Sequence, residues 1–238
     1  MTFRFRAGLT IATLIALAIL SALGTWQLQR RAWKLDLIAQ TEHRLGAAPI
    51  AFADALARTS KGENMEYAPV YLDGVYDNLR EARVFGLLDG AAGVYVFTPM
   101  TPRNGQDHVV YVNRGFAPQA FRDRQTRLDG EIDGPTRVEG LFRASERRHG
   151  VDAMVKPADA AGDNLYYTRD PAALAAAAGL ATVDYYIDSD GRESAAPWPK
   201  GGVTRLEFSN RHLEYALTWY GLGAALIGVY LAFSLRRR

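Results

Sequence analysis

The stretch NRHLEYALTWYGLGAALIGVYLAFSLRRR, residues 210–238, decides how the rest of the chain is organised. It carries no charged side chain from Tyr215 to Leu235, and the three arginines Arg236–Arg238 follow directly. About 20 mostly apolar residues, each rising roughly 1.5 Å, span the hydrocarbon core of a bilayer. The pattern predicts a transmembrane helix over residues 210–235, followed by a basic cytoplasmic tail over residues 236–238.

A second apolar stretch lies near the start of the chain. Residues 7–29 carry no charge, Arg4 and Arg6 precede them, and Trp26 lies where an interfacial tryptophan anchors a spanning helix. A cleaved signal peptide is the alternative, but the apolar run is long and Ser21–Gly24 is a poor cleavage signature. We therefore expect an uncleaved transmembrane helix over residues 7–29. Two spans place both termini on one side, which predicts a bacterial inner-membrane protein with cytoplasmic termini and a periplasmic middle.

The middle of the chain, residues 30–209, is predicted to form one β-rich extracytoplasmic domain. The domain begins with an amphipathic helical lead-in, predicted from the stretch WQLQRRAWKLDLIAQ, residues 26–40, which continues the first apolar helix. Short connections between the later β-branched and aromatic runs favour a curled sheet or a partial barrel that is mainly antiparallel. The expected fold class is thus an α+β membrane protein, with two transmembrane helices bracketing this domain. The runs that predict strands are 67–77, 82–89, 93–100, 108–116, 136–143, 165–170 and 183–189.

The segment DPAALAAAAGL, residues 170–180, predicts one short helix within this domain. Asp170 suits the N-cap, Pro171 suits the first helical position, and Gly179 suits the stop. Asp188 and Asp190 precede a glycine as in the start of a calcium loop. The later ligands of such a loop are missing, so this segment is interpreted as an ordinary turn.

Composition excludes several classes of function. The chain has no cysteine, which removes disulfides, thiolate nucleophiles, zinc knuckles and covalent haem attachment. All 26 acidic residues lie between the two apolar ends, whereas five of the 28 basic residues lie outside them. The middle is therefore slightly acidic, which argues against a nucleic-acid surface. The motifs GxSxG, HExxH and the P-loop are absent from the sequence, so we predict that the protein is not an enzyme.

His212 stands out among the four histidines because it lies at the boundary of the last apolar stretch. Helical spacing places Tyr215 and Trp219 three and seven residues later, on the same face. A neutral imidazole in this setting could ligate a haem iron between aromatic side chains. The alternative is an interfacial histidine that bonds to lipid headgroups or to the domain above, beside an ordinary aromatic belt. The residues alone leave both open.

Three blocks of the sequence resemble the Surfeit-locus (Surf/Shy) family of cytochrome c oxidase assembly factors. They are GTWQLQRRAWKLDLI at Gly24–Ile38, VYVNRGFAP at Val110–Pro118 and NRHLEYALTWYGLG at Asn210–Gly223. The blocks occur in the family's order and fit its two-span architecture. Phe116 is a mild departure, because the family often carries tryptophan there.

The resemblance implies a membrane-anchored assembly factor of haem–copper cytochrome c oxidase that binds haem a transiently. The haem would pass to the large oxidase subunit, and the haem a synthesis enzymes would be further partners. His212 is then the candidate axial ligand of the haem iron. The resemblance also implies that arginines of the first helix bond to the haem propionates, although lipid headgroups are an equal alternative for them. The implied haem-binding residues are His212, Tyr215, Trp219, Trp26, Arg30 and Arg31.

The second block and Asn210 are interpreted as a structural signature, formed by Asn113, Arg114, Gly115, Pro118 and Asn210. A glycine with positive φ and a proline that fixes the strand exit predict a turn at this point. The alternative is that Arg114 faces the membrane or the oxidase. Two other functions stay open: a scaffold for oxidase subunits that binds no cofactor, and a membrane-tethered periplasmic hydrolase or sensor.

Overall fold

The computed structural model describes residues 2–3, 6–105, 107–147, 159, 161–204 and 210–236. The chain divides into two compact units. One unit comprises Met1–Glu42 and Leu206–Arg238, and the other comprises His43–Arg205. Of the predicted basic tail only Arg236 is described, since Arg237 and Arg238 lie outside these ranges.

Two long helices dominate the first unit. Helix α1 runs over Ala7–Leu45, and the last helix, α4, runs over His212–Ser234. Both have the length and apolar composition to cross a membrane. Their large apolar side chains, such as Ile11 and Phe233, are exposed, whereas the core helix of a soluble protein would bury them. The two helices therefore indicate association with a membrane.

The two helices are antiparallel, and contacts join Thr10–Gln27 of α1 to His212–Tyr230 of α4. Beside one end, strand β1 (Thr2–Phe3) pairs antiparallel with strand β10 (Leu235–Arg236). Thr10 Oγ1 lies 2.8 Å from Tyr230 Oη, and Thr25 Oγ1 lies 3.0 Å from Tyr220 Oη. Polar contacts of this kind, together with small residues, hold apolar helices together in lipid.

Gly24 packs directly against a side chain of the other helix. A Cβ atom added to this residue would lie 2.8 Å from the ring of Tyr220, so a larger residue here would require the ring to move. The helical lead-in expected after Trp26 belongs to α1, which continues without a break to Leu45.

The second unit is built around a closed barrel of five strands. The strands are β3 (Pro69–Tyr76), β5 (Ala91–Pro102), β6 (Val109–Pro118), β7 (Pro135–Ala144) and β9 (Thr182–Ser189). Their order is β3-β7-β9-β6-β5, and a pairing of β5 with β3 closes the circle. The prediction of a partial barrel or curled sheet is thus corrected to a closed barrel. Closure occurs because Gly74–Tyr76 of β3 pair with Met100–Pro102 of β5, while the other edge of β3 pairs with β7.

Pairing within the barrel is antiparallel except between β6 and β9, which run parallel. Strand β4 (Ala82–Leu88) extends the sheet beside β5, and the short strand β8 (Leu165–Tyr166) pairs with β4. On the other side, β2 (Ile50–Ala51) pairs with β3. These strands fall on the runs predicted from the sequence, with the two-residue β2 as an addition.

Helix α2 (Phe52–Ser60) was not predicted from the sequence. It has nine residues, too few to be stable as an isolated helix. It buries Phe52 and Ala55, and the Phe52 ring lies 5.2 Å from the ring of Phe142. Tertiary packing against the barrel therefore makes this segment helical.

The barrel core is formed by alternate residues of the strands, as the two-residue period of a strand requires. One cluster of buried apolar side chains draws on all five barrel strands and fills the barrel, and a second cluster lies on the opposite face of the sheet, outside the barrel. The larger members of the first are Val70, Met100, Val112, Val138, Phe142 and Ile187. Those of the second are Phe97, Tyr111, Phe116, Tyr166, Leu174 and Tyr186.

Helix α3 (Pro171–Ala178) confirms the short helix predicted inside the domain. The side chain of Asp170 accepts a hydrogen bond of 3.1 Å from the backbone N–H of Ala172. Gly179 ends the helix in the left-handed conformation, with φ of 66°. Both ends of α3 are thus specified by local sequence.

Replacing Asp170 by alanine is expected to destabilise α3 by about 0.5–2 kcal/mol, because a backbone N–H of the first turn loses its acceptor. Hydrogen exchange of the α3 amides in the full chain would measure the change. Asp170→Asn is the matched control, since the asparagine side chain keeps an oxygen that can cap the helix. Equal protection in wild type and Asp170→Ala would contradict the assigned cap.

Candidate functional site

The candidate site lies in the helix pair, at the N-terminal end of α4. His212 is the first residue of this helix, and its Nδ1 atom lies 2.8 Å from Oε1 of Gln27 on α1. Both side chains are half-buried. An amide oxygen can only accept a hydrogen bond, so Nδ1 of a neutral imidazole carries the proton and donates it. The lone pair of the ring is then on Nε2, the atom that would bind a metal.

The aromatic residues predicted near His212 differ in their exposure. Tyr215 and Trp26 are each about half exposed, and Trp219 is half-buried. Ala216, one turn after His212, is buried in the helix pair. The face of α4 that carries His212 is therefore partly covered, whereas Tyr215 lies at its open side.

Arg30 and Arg31 lie one helical turn beyond Gln27 on α1. Residues three and four apart share a helix face, so both arginines follow Gln27 along the face that meets His212. Arg30 is exposed, and its guanidinium stacks 4.1 Å above the ring of Trp33. Among the contacts of the described residues none joins either arginine to His212. Gln27, rather than either arginine, makes the direct contact with His212.

The signature segment lies within strand β6, so the predicted turn is wrong. Tyr95 of β5 pairs with Phe116, and Phe97 pairs with Asn113. Arg114 and Gly115 therefore stand together opposite the single residue between Tyr95 and Phe97, which defines a β-bulge. The expected positive φ of Gly115 is confirmed, at 120°. Asn113 supports the bulge, because its Oδ1 accepts a hydrogen bond of 3.2 Å from the Gly115 N–H.

Arg114 is only 3% exposed. Its Nη2 donates a hydrogen bond to the Gly130 carbonyl, and the guanidinium lies 5.0 Å from the centre of the Tyr76 ring. This burial leaves no guanidinium surface for a membrane or a partner, which favours the structural interpretation of the block. Asn210, the last signature residue, is half-buried just before α4, and its Oδ1 has no hydrogen-bond partner among the described residues.

The SURF1 family model matches residues 14–224, which include the helix-pair site and the barrel. The chain belongs to the SURF1 family. It is 35% identical to Surfeit locus protein 1 of Homo sapiens over 230 residues, covering 90% of this chain and 73% of that protein. It is 36% identical to Surfeit locus protein 1 of Gallus gallus over 219 residues, covering 85% and 68%. A SURF1-like protein of Monosiga brevicollis is 31% identical over 244 residues, covering 97% and 88%. The Surfeit-locus resemblance is thereby confirmed.

This SURF1 chain also contains a buried polar network that the sequence did not reveal. Asp188 lies in β9, as the strand predicted over residues 183–189 requires, and it is buried, while the predicted turn follows at Asp190 and Gly191. Asp188 accepts hydrogen bonds from Asn113 at 2.6 Å, Arg143 at 2.8 Å and Thr204 at 3.0 Å. Arg143 also donates to Glu66 at 2.8 Å. Tyr186 and Asp188 share the strand face opposite Ile187, whose side chain lies in the barrel core, so the two-residue period of β9 was the signal that Asp188 lies beside a buried aromatic residue.

Electrostatics keep Arg143 of this network charged. Burial acts to lower the pKa of Arg143, but the nearby Asp188 carboxylate and the hydrogen bond to Glu66 act against it, and the pKa is raised overall. Burial also raises the pKa of the Tyr186 hydroxyl, which therefore stays neutral. The polar groups bond to each other across β6, β7 and β9, which indicates that the network stabilises the barrel.

Proposed function

We propose that this SURF1 protein is a membrane-anchored assembly factor of haem–copper cytochrome c oxidase. It would bind haem a at His212 and pass it to the large oxidase subunit, after receiving it from the haem a synthesis enzymes. The observation that carries the proposal is the position of His212. Its Nδ1 lies 2.8 Å from Oε1 of Gln27, which makes Nε2 the metal-binding nitrogen in the tautomer protonated on Nδ1, and it lies at the N-terminal end of α4, where this helix pairs with α1.

The residues around His212 fit the chemistry of a haem. The macrocycle needs an axial nitrogen ligand, apolar surface and cations for its propionates. His212 offers the nitrogen, and the half-exposed rings of Tyr215 and Trp26 offer apolar surface. Arg30 and Arg31 offer charge one turn further along α1. A single imidazole ligand at an open site favours release, which a carrier requires, whereas two strong ligands would retain the haem.

The proposed membrane placement follows from the antiparallel helix pair. If both helices span the bilayer, the chain ends lie on one side and the barrel domain lies on the other. Three C-terminal arginines follow α4 in the sequence, and such residues concentrate on the cytoplasmic side. We place the termini in the cytoplasm and the barrel domain in the periplasm of a bacterial inner membrane.

Replacing His212 by alanine is expected to abolish haem binding, because it removes the axial ligand. The test is an absorption spectrum of the detergent-purified protein, co-expressed with the haem a synthesis enzymes. His43→Ala is the matched control, since His43 is an exposed histidine on the same chain. A haem a spectrum in wild type and His43→Ala but not in His212→Ala supports the proposal. Haem retained in His212→Ala would show that another residue is the ligand, and haem missing from wild type would refute haem binding.

A scaffold that binds oxidase subunits without haem is the second candidate. The observation that favours it is the exposure of apolar side chains on the barrel domain, where Leu79 is 78% and Leu87 is 61% exposed. Exposed apolar surface is a feature of protein interaction sites. Under this alternative, Leu79→Ser or Leu87→Ser would reduce co-purification of the oxidase, while His212→Ala would leave the haem content of the oxidase unchanged.

A further inference from the structure

We infer that Gln27 is a positioning residue for the haem ligand. It fixes the orientation and the tautomer of His212, so that Nε2 is presented to the iron. The inference rests on the haem binding proposed above for His212, and it assigns a role to a residue of the other helix.

The contact between Gln27 and His212 joins residues that are 185 positions apart in the chain. It exists only because the two apolar helices pair in the observed register. Gln27 lies three residues after Gly24, on the same face of α1. Near this level the Tyr220 ring packs against Gly24, and its hydroxyl lies 3.0 Å from Oγ1 of Thr25. Gln27 then reaches the His212 ring at 2.8 Å.

This geometry decides which ring nitrogen is available. The two nitrogens of an imidazole flank one carbon and point in widely different directions. With Nδ1 donating to Oε1 of Gln27, Nε2 faces away from Gln27 and carries the lone pair. Without an acceptor at Nδ1, the ring can rotate about its side-chain bonds and move its proton to Nε2, where a proton blocks metal binding.

Glutamine at position 27 meets the need of His212 for a hydrogen-bond acceptor at Nδ1. A metal-binding histidine usually donates its second N–H to an oxygen acceptor, which orients the ring and raises the basicity of the ligand nitrogen. Glutamine provides a neutral acceptor on a side chain long enough to cross between the helices. A glutamate would keep the acceptor and make it stronger, whereas an alanine would remove it.

The first test needs no haem. Selective ¹⁵N labelling of histidine in the full-length, detergent-solubilised protein reports which ring nitrogen carries the proton, and His212→Ala assigns the signals. At a pH where the ring is neutral, we expect a proton on Nδ1 of His212 in wild type. In Gln27→Ala we expect that preference to be lost. A proton on Nε2 in wild type, or the same tautomer in both proteins, would overturn the inference.

The second test is a titration of the same proteins with haem a, followed by absorption. Loss of an outer-shell partner lowers metal affinity about 10- to 100-fold, and we expect a loss of that size in Gln27→Ala. Gln27→Glu should restore the affinity and lower the reduction potential of the bound haem, because a carboxylate makes the imidazole more electron-rich. Gln29→Ala is the matched control. Gln29 is exposed and lies about 200° further around the helix, so its affinity should equal that of wild type.

The two tests separate the possible failures. If wild type binds no haem a, the proposed function fails. The first test still decides whether Gln27 sets the tautomer of His212, because it does not depend on haem. If Gln27→Ala and wild type bind haem a equally well, the positioning role is refuted although haem binding is not. A role of Gln27 in helix pairing alone predicts that Gln27→Glu fails to restore the affinity and leaves the potential unchanged, and this result would also overturn the inference.

Discussion

Replacing Gly115 by alanine is expected to destabilise the barrel domain by more than about 4 kcal/mol, enough to unfold many domains of this size. A Cβ atom at this position would lie 1.9 Å from the carbonyl oxygen of Lys200. The φ angle of 120° adds backbone strain for any residue with a side chain. Alanine therefore meets a steric clash and an unfavourable backbone conformation at once.

The clash at Gly115 cannot be relieved cheaply. The oxygen of Lys200 accepts a hydrogen bond of 3.0 Å from the N–H of Phe116, and the Lys200 N–H donates one of 2.9 Å in return. Moving Lys200 away would break both bonds. Moving Gly115 would disturb the adjacent Asn113, which also holds Asp188.

Gly134→Ala is the matched control for Gly115→Ala. Gly134 also has a positive φ, of 78°, but a Cβ atom there would meet no heavy atom within 4 Å. We expect this control to cost about 1–2 kcal/mol, the strain of the backbone alone. Hydrogen exchange of the β5 and β6 amides in the detergent-solubilised full chain measures the loss of stability in each of the two variants. Similar losses in the two variants would show that the Lys200 carbonyl moves freely, against the packing described here.

Local sequence was sufficient where local contacts decide the structure. The cap of α3 depends on Asp170 and Gly179, which are its immediate neighbours in the chain. The strands follow from two-residue alternation, and the two apolar helices follow from length and hydropathy. These features need no knowledge of distant residues.

Distant contacts explain what the sequence did not predict. The positive φ of Gly115 was expected from its residue type. Its placement in a bulge rather than a turn depends on the pairing of β6 with β5, in which Tyr95 pairs with Phe116 and Phe97 pairs with Asn113. Barrel closure likewise depends on β3 pairing with both β5 and β7. Neither pairing leaves a local signal.

In the candidate site too, local features could be predicted from the sequence and contacts between distant residues could not. His212 could be singled out because its position at the end of an apolar stretch is a local feature. Its hydrogen bond to Gln27 depends on the register of the two helices, in which Tyr220 packs against Gly24. The sequence pointed to Arg30 and Arg31, which lie one helical turn beyond Gln27, but it could not identify Gln27 as the residue in contact.

Charged residues were the hardest to assign, because a charged side chain is usually solvated. Arg127 and Glu81 lie 46 residues apart and form a bidentate pair inside the second unit. Only 2% of the Arg127 side chain and 7% of the Glu81 side chain are exposed. Arg127 also donates a hydrogen bond of 3.1 Å to the Phe121 carbonyl. The pair therefore joins the segment before β4 to the turns after β6.

Glu81→Gln is expected to lower the free energy of unfolding of the barrel domain by about 3–5 kcal/mol. The substitution keeps the size of the side chain, but it leaves the buried guanidinium of Arg127 without a counter-charge. The cost comes mainly from that uncompensated charge. Replacing both residues by methionine should therefore cost less than Glu81→Gln alone, since no buried charge then remains.

Asp73 and Arg137 provide the control, because they form the same bidentate geometry at the surface. Arg137 donates to Asp73 at 2.8 and 2.7 Å, and the two side chains are 53% and 45% exposed. Asp73→Asn is expected to cost less than about 1 kcal/mol, because water solvates both groups once the pair is broken. Hydrogen exchange of the barrel strands compares the two substitutions directly. If Asp73→Asn cost as much as Glu81→Gln, the geometry of the pair rather than its burial would determine its contribution.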